Sequence, residues 1–201
     1  MISTKIACIG DSLTEGDYGV SGKVGIANVH KENYPYFLAK MTGDTVLNFG
    51  KCGARAGTYL SQYEKLNPDL SDVSLVLVML GTNGGFDKDA DTPDNRAFET
   101  LLARLHQDAP HARILLCTPP HVTENPALSG CGLSARVEKS VAYVRDFAAK
   151  NNYPLLETAR IPDFCAENES LYQANDGVHF VEAGYRRLAA FFAEAIKPYR
   201  V

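Results

Sequence analysis

Apolar residues gather along this chain in five short runs, at 5–9, 45–49, 75–80, 113–118 and 155–157. Within each run they are mostly consecutive rather than alternating. Strands covered on both faces read this way, as in a parallel sheet flanked by helices. Between the runs the apolar spacing becomes helical. Phe98, Leu101, Leu102 and Leu105 share one face of a predicted helix over 95–107, which Thr92 and Pro93 would start. Val137, Val141, Val144 and Phe147 mark a helix over 134–150. Tyr185, Leu188, Ala189, Phe192 and Ile196 mark another over 182–199, and shorter helices are predicted at 34–41 and 59–66.

Strands alternating with helices predict an α/β fold. The expected architecture is three layers, α/β/α, around a mostly parallel, five-stranded, flavodoxin-like sheet. No internal repeat, low-complexity tract or linker divides the 201 residues, which suits one domain over 1–201. A chain of this length buries roughly 70% of its unfolded surface and can hold a core without disulfides or metal.

Composition narrows the function classes. The net charge is −4, and no Lys/Arg cluster forms a basic patch. Nucleic acid is therefore not the expected partner, because duplex binding draws on phosphate neutralisation. The longest purely apolar run, LVLVML at 75–80, is six residues, whereas a membrane-spanning helix needs ~20. The first residues lack the apolar core of a signal peptide. The expectation is a cytoplasmic protein without membrane contact. The five cysteines, Cys8, Cys52, Cys117, Cys131 and Cys165, are odd in number, widely spaced and free of any CxxC. Free thiols are expected, with Cys8 and Cys117 in the core and neither metal nor cofactor.

Ligands of open α/β sheets bind beyond the carboxyl ends of the strands, where strand order reverses. The first run ends in GDSLT (10–14), the second in NFGKCG (48–53), the third in GTNGG (81–85) and the fourth in TPPH (118–121), and DGVH (176–179) precedes the last helix. These loops hold a hydroxyl, an imidazole, a carboxylate, an amide and glycine N–H groups. Acyl transfer needs that inventory: a nucleophile, its base, an orienter for the base and oxyanion donors.

In that order the four blocks GDSLT, NFGKCG, GTN and DGVH resemble those of the SGNH hydrolases, the GDSL esterase and lipase family. Together they span 10–179, nearly the whole chain. The resemblance implies an acyl-serine esterase with Ser12 as nucleophile, His179 as base and Asp176 as orienter of the imidazole. It implies an oxyanion hole of the Ser12 and Gly53 N–H groups and the Asn83 side-chain amide. Gly53 is chosen over Gly50 because the family's donor follows the motif's asparagine, here Asn48, by five residues.

The residue types suit these roles. A serine hydroxyl is a weak nucleophile without a base in hydrogen-bond reach. Asp176 and His179, three residues apart, can project from one tight turn. The Asn83 amide donates two hydrogens and carries no charge.

Two departures from the family pattern stand out. Gly84 and Gly85 replace the aspartate that often follows GTN, which predicts a looser loop. Phe180 replaces the usual Pro or Leu after the histidine, which predicts a changed pocket wall. Asp11 reads as a structural residue that bonds loop N–H groups. His30, His106 and His111 read as surface residues. His121 and Arg55 are further candidates for substrate contact, and the glycine-rich segment 18–33 is either a rim over the site or surface loop.

The expected substrate is a small-molecule ester with a small, acetyl-like acyl group, a carbohydrate ester being one form. The oligomeric state is not indicated. Thioesterase and lysophospholipase chemistry occur in the same family. A non-catalytic ligand-binding domain would keep the scaffold without the chemistry. A flavin or nucleotide protein of this architecture would need a phosphate-cradling loop. GDSLTEGDYG instead carries two acidic residues after its serine and no Walker lysine.

Overall fold

The computed structural model describes residues 4–16 and 33–200. Five strands form one sheet: β1 (Lys5–Gly10), β2 (Thr45–Gly50), β3 (Leu75–Met79), β4 (Arg113–Cys117) and β5 (Leu155–Leu156). Their order is β2-β1-β3-β4-β5. Every pair is parallel, with Lys5 opposite Thr45, Ile6 opposite Leu75, Leu75 opposite Arg113 and Leu116 opposite Leu155. All five strands therefore end at one edge, and the order reverses on either side of β1.

The helices are α1 (Ser12–Glu15), α2 (Tyr34–Thr42), α3 (Ala56–Leu66), α4 (Pro93–Asp108), α5 (Ser134–Asn151), α6 (Glu169–Tyr172) and α7 (Glu182–Ala195). Successive strand residues point to opposite faces, and both faces are covered. Ala7, Ile9, Val76, Val78, Ile114 and Leu116 face the layer of α3, α4 and α5, where Tyr59, Phe98, Leu101 and Val144 meet them. Ile6, Cys8, Leu75, Leu77, Leu115 and Cys117 face α2 and α7, where Tyr34, Leu38, Leu188 and Phe192 meet them. This double coverage explains why the strand runs are continuously apolar. It also makes the architecture the three-layer parallel one expected.

Differences from expectation are local. Helix α3 begins at Ala56 rather than residue 59, because Thr58 caps it. The Thr58 Oγ1 accepts the Arg55 N–H and donates to the Arg55 carbonyl, each at 3.0 Å. Helix α4 starts as Thr92 and Pro93 predict, the Thr92 Oγ1 accepting the Asn95 N–H at 3.0 Å. Helix α7 stops at Ala195, and a 3-10 turn over Lys197–Tyr199 follows. Pro198 offers no N–H to continue an α-helix.

Valines 137 and 141 do not join the main core. They form a separate small cluster with Val122 and Val178. Val178 lies inside DGVH, so α5 packs directly beneath that turn.

Cys8 and Cys117 are fully buried. Burial pushes the Cys8 thiol up to about 12 and the Cys117 thiol well above its ordinary value. Neither can act as a thiolate nucleophile near neutral pH. Among the described residues no helix is long and apolar enough to cross a membrane. Residue 30 and most of segment 18–33 lie outside the described residues; Asn33 caps α2 with its side chain.

Candidate active site

Ser12 follows β1 directly, at the point where strand order reverses. It is the first residue of α1, and Asp11 is the N-cap. The Asp11 Oδ1 accepts the Leu13 N–H at 3.0 Å, which stabilises the sharp turn from strand to helix. Ser12 is 3% exposed.

DGVH comes from the far end of the chain and meets this turn. The His179 Nε2 lies 2.8 Å from the Ser12 Oγ, across 167 residues of sequence. On the other side of the ring, the His179 Nδ1 lies 2.6 Å from the Asp176 Oδ2. An ionised carboxylate only accepts, so the proton on this side belongs to Nδ1. Nε2 is then the acceptor for the Ser12 hydroxyl. The second Asp176 oxygen accepts the N–H groups of Val178 (3.0 Å) and His179 (3.1 Å). Burial alone would raise the Asp176 carboxyl, but these bonds, led by that from His179, hold it below the usual value.

The turn works because of its glycine. Gly177 has φ of +71°, in the left-handed region. A Cβ there would also stand 2.2 Å from the Thr123 Cγ2. Glycine is required by both conformation and space.

The three oxyanion candidates follow the neighbouring strands β1, β2 and β3. As the first helical residue, Ser12 has an N–H with no intrahelical acceptor. Gly53 follows β2 with φ of +68°, and a Cβ there would meet nothing within 4 Å. Among the described residues neither N–H donates to another protein group. The Asn83 Nδ2 follows β3 and donates to the Ala54 carbonyl at 3.0 Å. This bond joins the loops after β2 and β3 and orients the amide. Its second hydrogen remains for a ligand.

Other sequence candidates fall differently. Arg55 forms an ion pair with Asp94, whose other oxygen accepts the Gly57 N–H at 2.9 Å. Gly85 packs against both, since a Cβ there would stand 2.4 Å from the Asp94 Oδ2 and 2.7 Å from the Arg55 Nε. The loop carrying Gly84 and Gly85 thus lies close against Asp94 of α4, and the Thr92 Oγ1 donates to the Gly85 carbonyl at 2.8 Å. Phe180 does not line a pocket wall. It is 3% exposed and stacks on Phe164 with ring centroids 4.5 Å apart. His121 borders a cavity of about 260 Å³ between α5 and the loop after β4, with its Nε2 3.2 Å from the Glu169 Oε1. His106 and His111 are exposed.

Asp11 is more than a cap. It is fully buried, beside Thr82 of the loop after β3. Its Oδ2 makes no hydrogen bond of ordinary geometry to a described residue. Burial raises its carboxyl to about 6, while the Leu13 N–H, Thr82 and the His179 charge draw it back. The unfolded chain titrates near 3.8. Between these values the folded state holds the extra proton, so the Asp11 contribution to stability is full below pH ~4 and is lost as pH rises through ~6. The difference is worth at most about 3 kcal/mol. Asp11→Asn keeps the cap and removes the charge. It is expected to flatten the fall in stability between pH 4 and 6.5 and to raise stability at pH 7. Urea unfolding at pH 4.5 and 7 measures this; a slope equal to wild type would locate the titration elsewhere.

A model of the GDSL-like lipase/acylhydrolase family matches residues 8–187. No curated protein matches the chain significantly. Among solved structures, the native aryl esterase of M. smegmatis is 21% identical, with a TM-score of 0.71 over 98% of this chain and 100% of that one. The lipase/acylhydrolase from Enterococcus faecalis is 21% identical, with a TM-score of 0.67 over 98% and 97%. A member of the lipolytic protein G-D-S-L family from Veillonella parvula is 19% identical, with a TM-score of 0.67 over 96% and 97%. At these identities the likeness to solved structures concerns the fold.

Proposed function

The chain belongs to the GDSL-like lipase/acylhydrolase family and is an ester hydrolase of the GDSL type, and from that premise we propose that Ser12, His179 and Asp176 hydrolyse a small-acyl ester through an acyl-serine intermediate. The observation that carries this reading is the continuous hydrogen-bonded line from the Ser12 Oγ through His179 to Asp176, at 2.8 and 2.6 Å.

In the proposed cycle the Ser12 Oγ attacks the ester carbonyl while its proton passes to the His179 Nε2. The carbonyl oxygen becomes an oxyanion, held by the Ser12 and Gly53 N–H groups and the Asn83 amide. Collapse breaks the bond to the alkoxy group, which takes the proton from Nε2 and leaves as the alcohol. Water then repeats the sequence on the acyl-serine. Its proton goes to Nε2, its oxygen to the acyl carbon, and the proton returns to Ser12 as the acid departs. Asp176 stays ionised and stabilises the imidazolium formed in both halves. Each oxyanion donor contributes ~3–4 kcal/mol in sites of this kind.

The surface supports a small acyl group. The large exposed apolar residues among those described are Met41, Leu66, Leu171 and Val181, and only Leu171 and Val181 are drawn together, by the bond from the Val181 N–H to the Tyr172 carbonyl. They form no broad face for a lipid aggregate. Acetylated carbohydrates fit this reading as one substrate form.

A fluorophosphonate probe is expected to label Ser12 stoichiometrically. In a series of aryl esters from acetate to palmitate, kcat/KM is expected to be highest at the short end. Absence of labelling in folded protein would remove the acyl-serine mechanism. A preference for long acyl chains or thioesters would move the substrate to the lysophospholipid or thioester class.

A further inference from the structure

The turn carrying Asp176 and His179 is not held by its own bonds alone. The loop between β4 and α5 grips it from outside. The Thr123 N–H donates to the Gly177 carbonyl, and the Gly130 N–H to the Asp176 carbonyl, each at 2.8 Å. The contact leaves no room for side chains. A Cβ on Gly130 would stand 2.5 Å from the Asp176 carbonyl oxygen. Val178 packs with Val122 in the same cluster.

That loop is itself tied to a carboxylate. The Thr123 Oγ1 donates to the Glu169 Oε2 at 2.8 Å. The Glu169 Oε1 lies 3.2 Å from the His121 Nε2. Both carboxylate oxygens are thus engaged by the loop, and the Glu169 side chain is only 13% exposed. Glu169 opens α6, and the residues just past α6 return to the catalytic turn. The Gln173 Nε2 donates to the His121 carbonyl at 3.0 Å. The Ala174 N–H donates to the His179 carbonyl at 2.6 Å. A closed ring results: Glu169 to Thr123, Thr123 to Gly177, Gly177 through the chain to His179, His179 to Ala174, and back along the chain to Glu169.

We propose that Glu169 is a positioning residue for His179, acting through His121 and Thr123 on the turn that aims the imidazole at Ser12. His121 then serves as a strut rather than a substrate contact. The proposal rests on the acyl-serine reading of Ser12 and His179. The catalytic turn is irregular chain, and a misplacement of about 1 Å at a reacting group costs roughly 10²-fold in rate. Glu169 is buried among donors but has no part in the chemistry, so its effect must appear in the aim of the ring.

The test compares Glu169→Ala, Glu169→Gln and Thr123→Val with wild type, below their unfolding temperatures. Glu169→Ala and Thr123→Val are expected to lower kcat about 10- to 10²-fold with KM within about twofold. Fluorophosphonate labelling should slow in parallel. The low-field proton resonance of the His179 Nδ1–H should broaden or vanish. Glu169→Gln keeps an oxygen for Thr123 and is expected to restore most of both signals. A folded Glu169→Ala with wild-type kcat and an intact resonance would overturn the proposal. So would a loss of thermal stability with neither signal changed. If Glu169→Ala does not fold, Thr123→Val and Glu169→Gln decide by the same readouts. Failure of the acyl-serine reading is separate: wild-type protein would then resist the probe, while the resonance would still report whether Glu169 sets the ring.

Discussion

A Ser12→Ala variant is expected to lose roughly 10⁵- to 10⁶-fold in kcat toward a short-chain aryl ester, the scale seen when a triad serine is removed. The fold should remain. Removing the Oγ takes away one hydrogen bond, to the His179 Nε2, and leaves the Asp11 cap of α1 in place. The thermal midpoint should therefore shift by no more than a few degrees. Cys8 lies on β1, just before Ser12, but is fully buried with its thiol pushed up to about 12. Residual hydrolysis above water would come from the oxyanion donors. Labelling by the fluorophosphonate probe should disappear with activity. Activity within tenfold of wild type would exclude Ser12 as nucleophile.

Asp176→Asn is expected to lower kcat by about 10⁴-fold with little change in stability. The reason lies in the bonding of the turn. The Asp176 Oδ1 accepts two backbone N–H groups, from Val178 and His179. In asparagine the carbonyl oxygen must take that place, because an amide NH₂ cannot accept from them. The NH₂ is then forced toward the His179 Nδ1. A donor there selects the tautomer with the proton on Nε2, and the imidazole can no longer accept from Ser12. The charge is lost as well, so the imidazolium of each transition state goes unstabilised. In wild type the Asp176 carboxyl is held below its usual value, so the stability it contributes is present above pH ~4 and is lost as pH falls further. The asparagine variant should lack that acid-side loss. Steady-state kinetics with urea unfolding at pH 3 and 7 would measure both parts. A drop smaller than tenfold would assign the orientation of His179 to another group.

Much of the fold was legible because burial on two faces leaves a plain mark. A strand such as Leu75–Met79 reads as one apolar run when Leu75, Leu77 and Met79 meet one helix layer while Val76 and Val78 meet the other. Helix α4 was legible to its first residue through Thr92 and Pro93. The helices that escaped, α1 and α6, are four residues each, too short for a 3.6-residue period to repeat. The start of α3 escaped because its cap, Thr58, lies inside the helix rather than before it.

The site divides in the same way. Its residue types, and their places after the strands in GDSLT, NFGKCG and GTN and before the last helix in DGVH, are local facts of sequence. A parallel sheet gathers the first three on one edge whatever the details, and DGVH reaches that edge through its long connection. Sequence therefore determined which groups meet. Their aim was decided only by tertiary structure. The neighbour of Gly85 is Asp94, from α4. The support of DGVH is Thr123 and Gly130, and behind them Glu169. Phe180 turns into the core instead of toward a pocket. The bonds from Thr123 and Gly130 to DGVH join residues tens of positions apart through backbone N–H and carbonyl groups. Every residue but proline carries the same N–H, and every residue the same carbonyl. A sequence has no letter for such a bond, and it exists only once the packed elements bring its two ends within 3 Å.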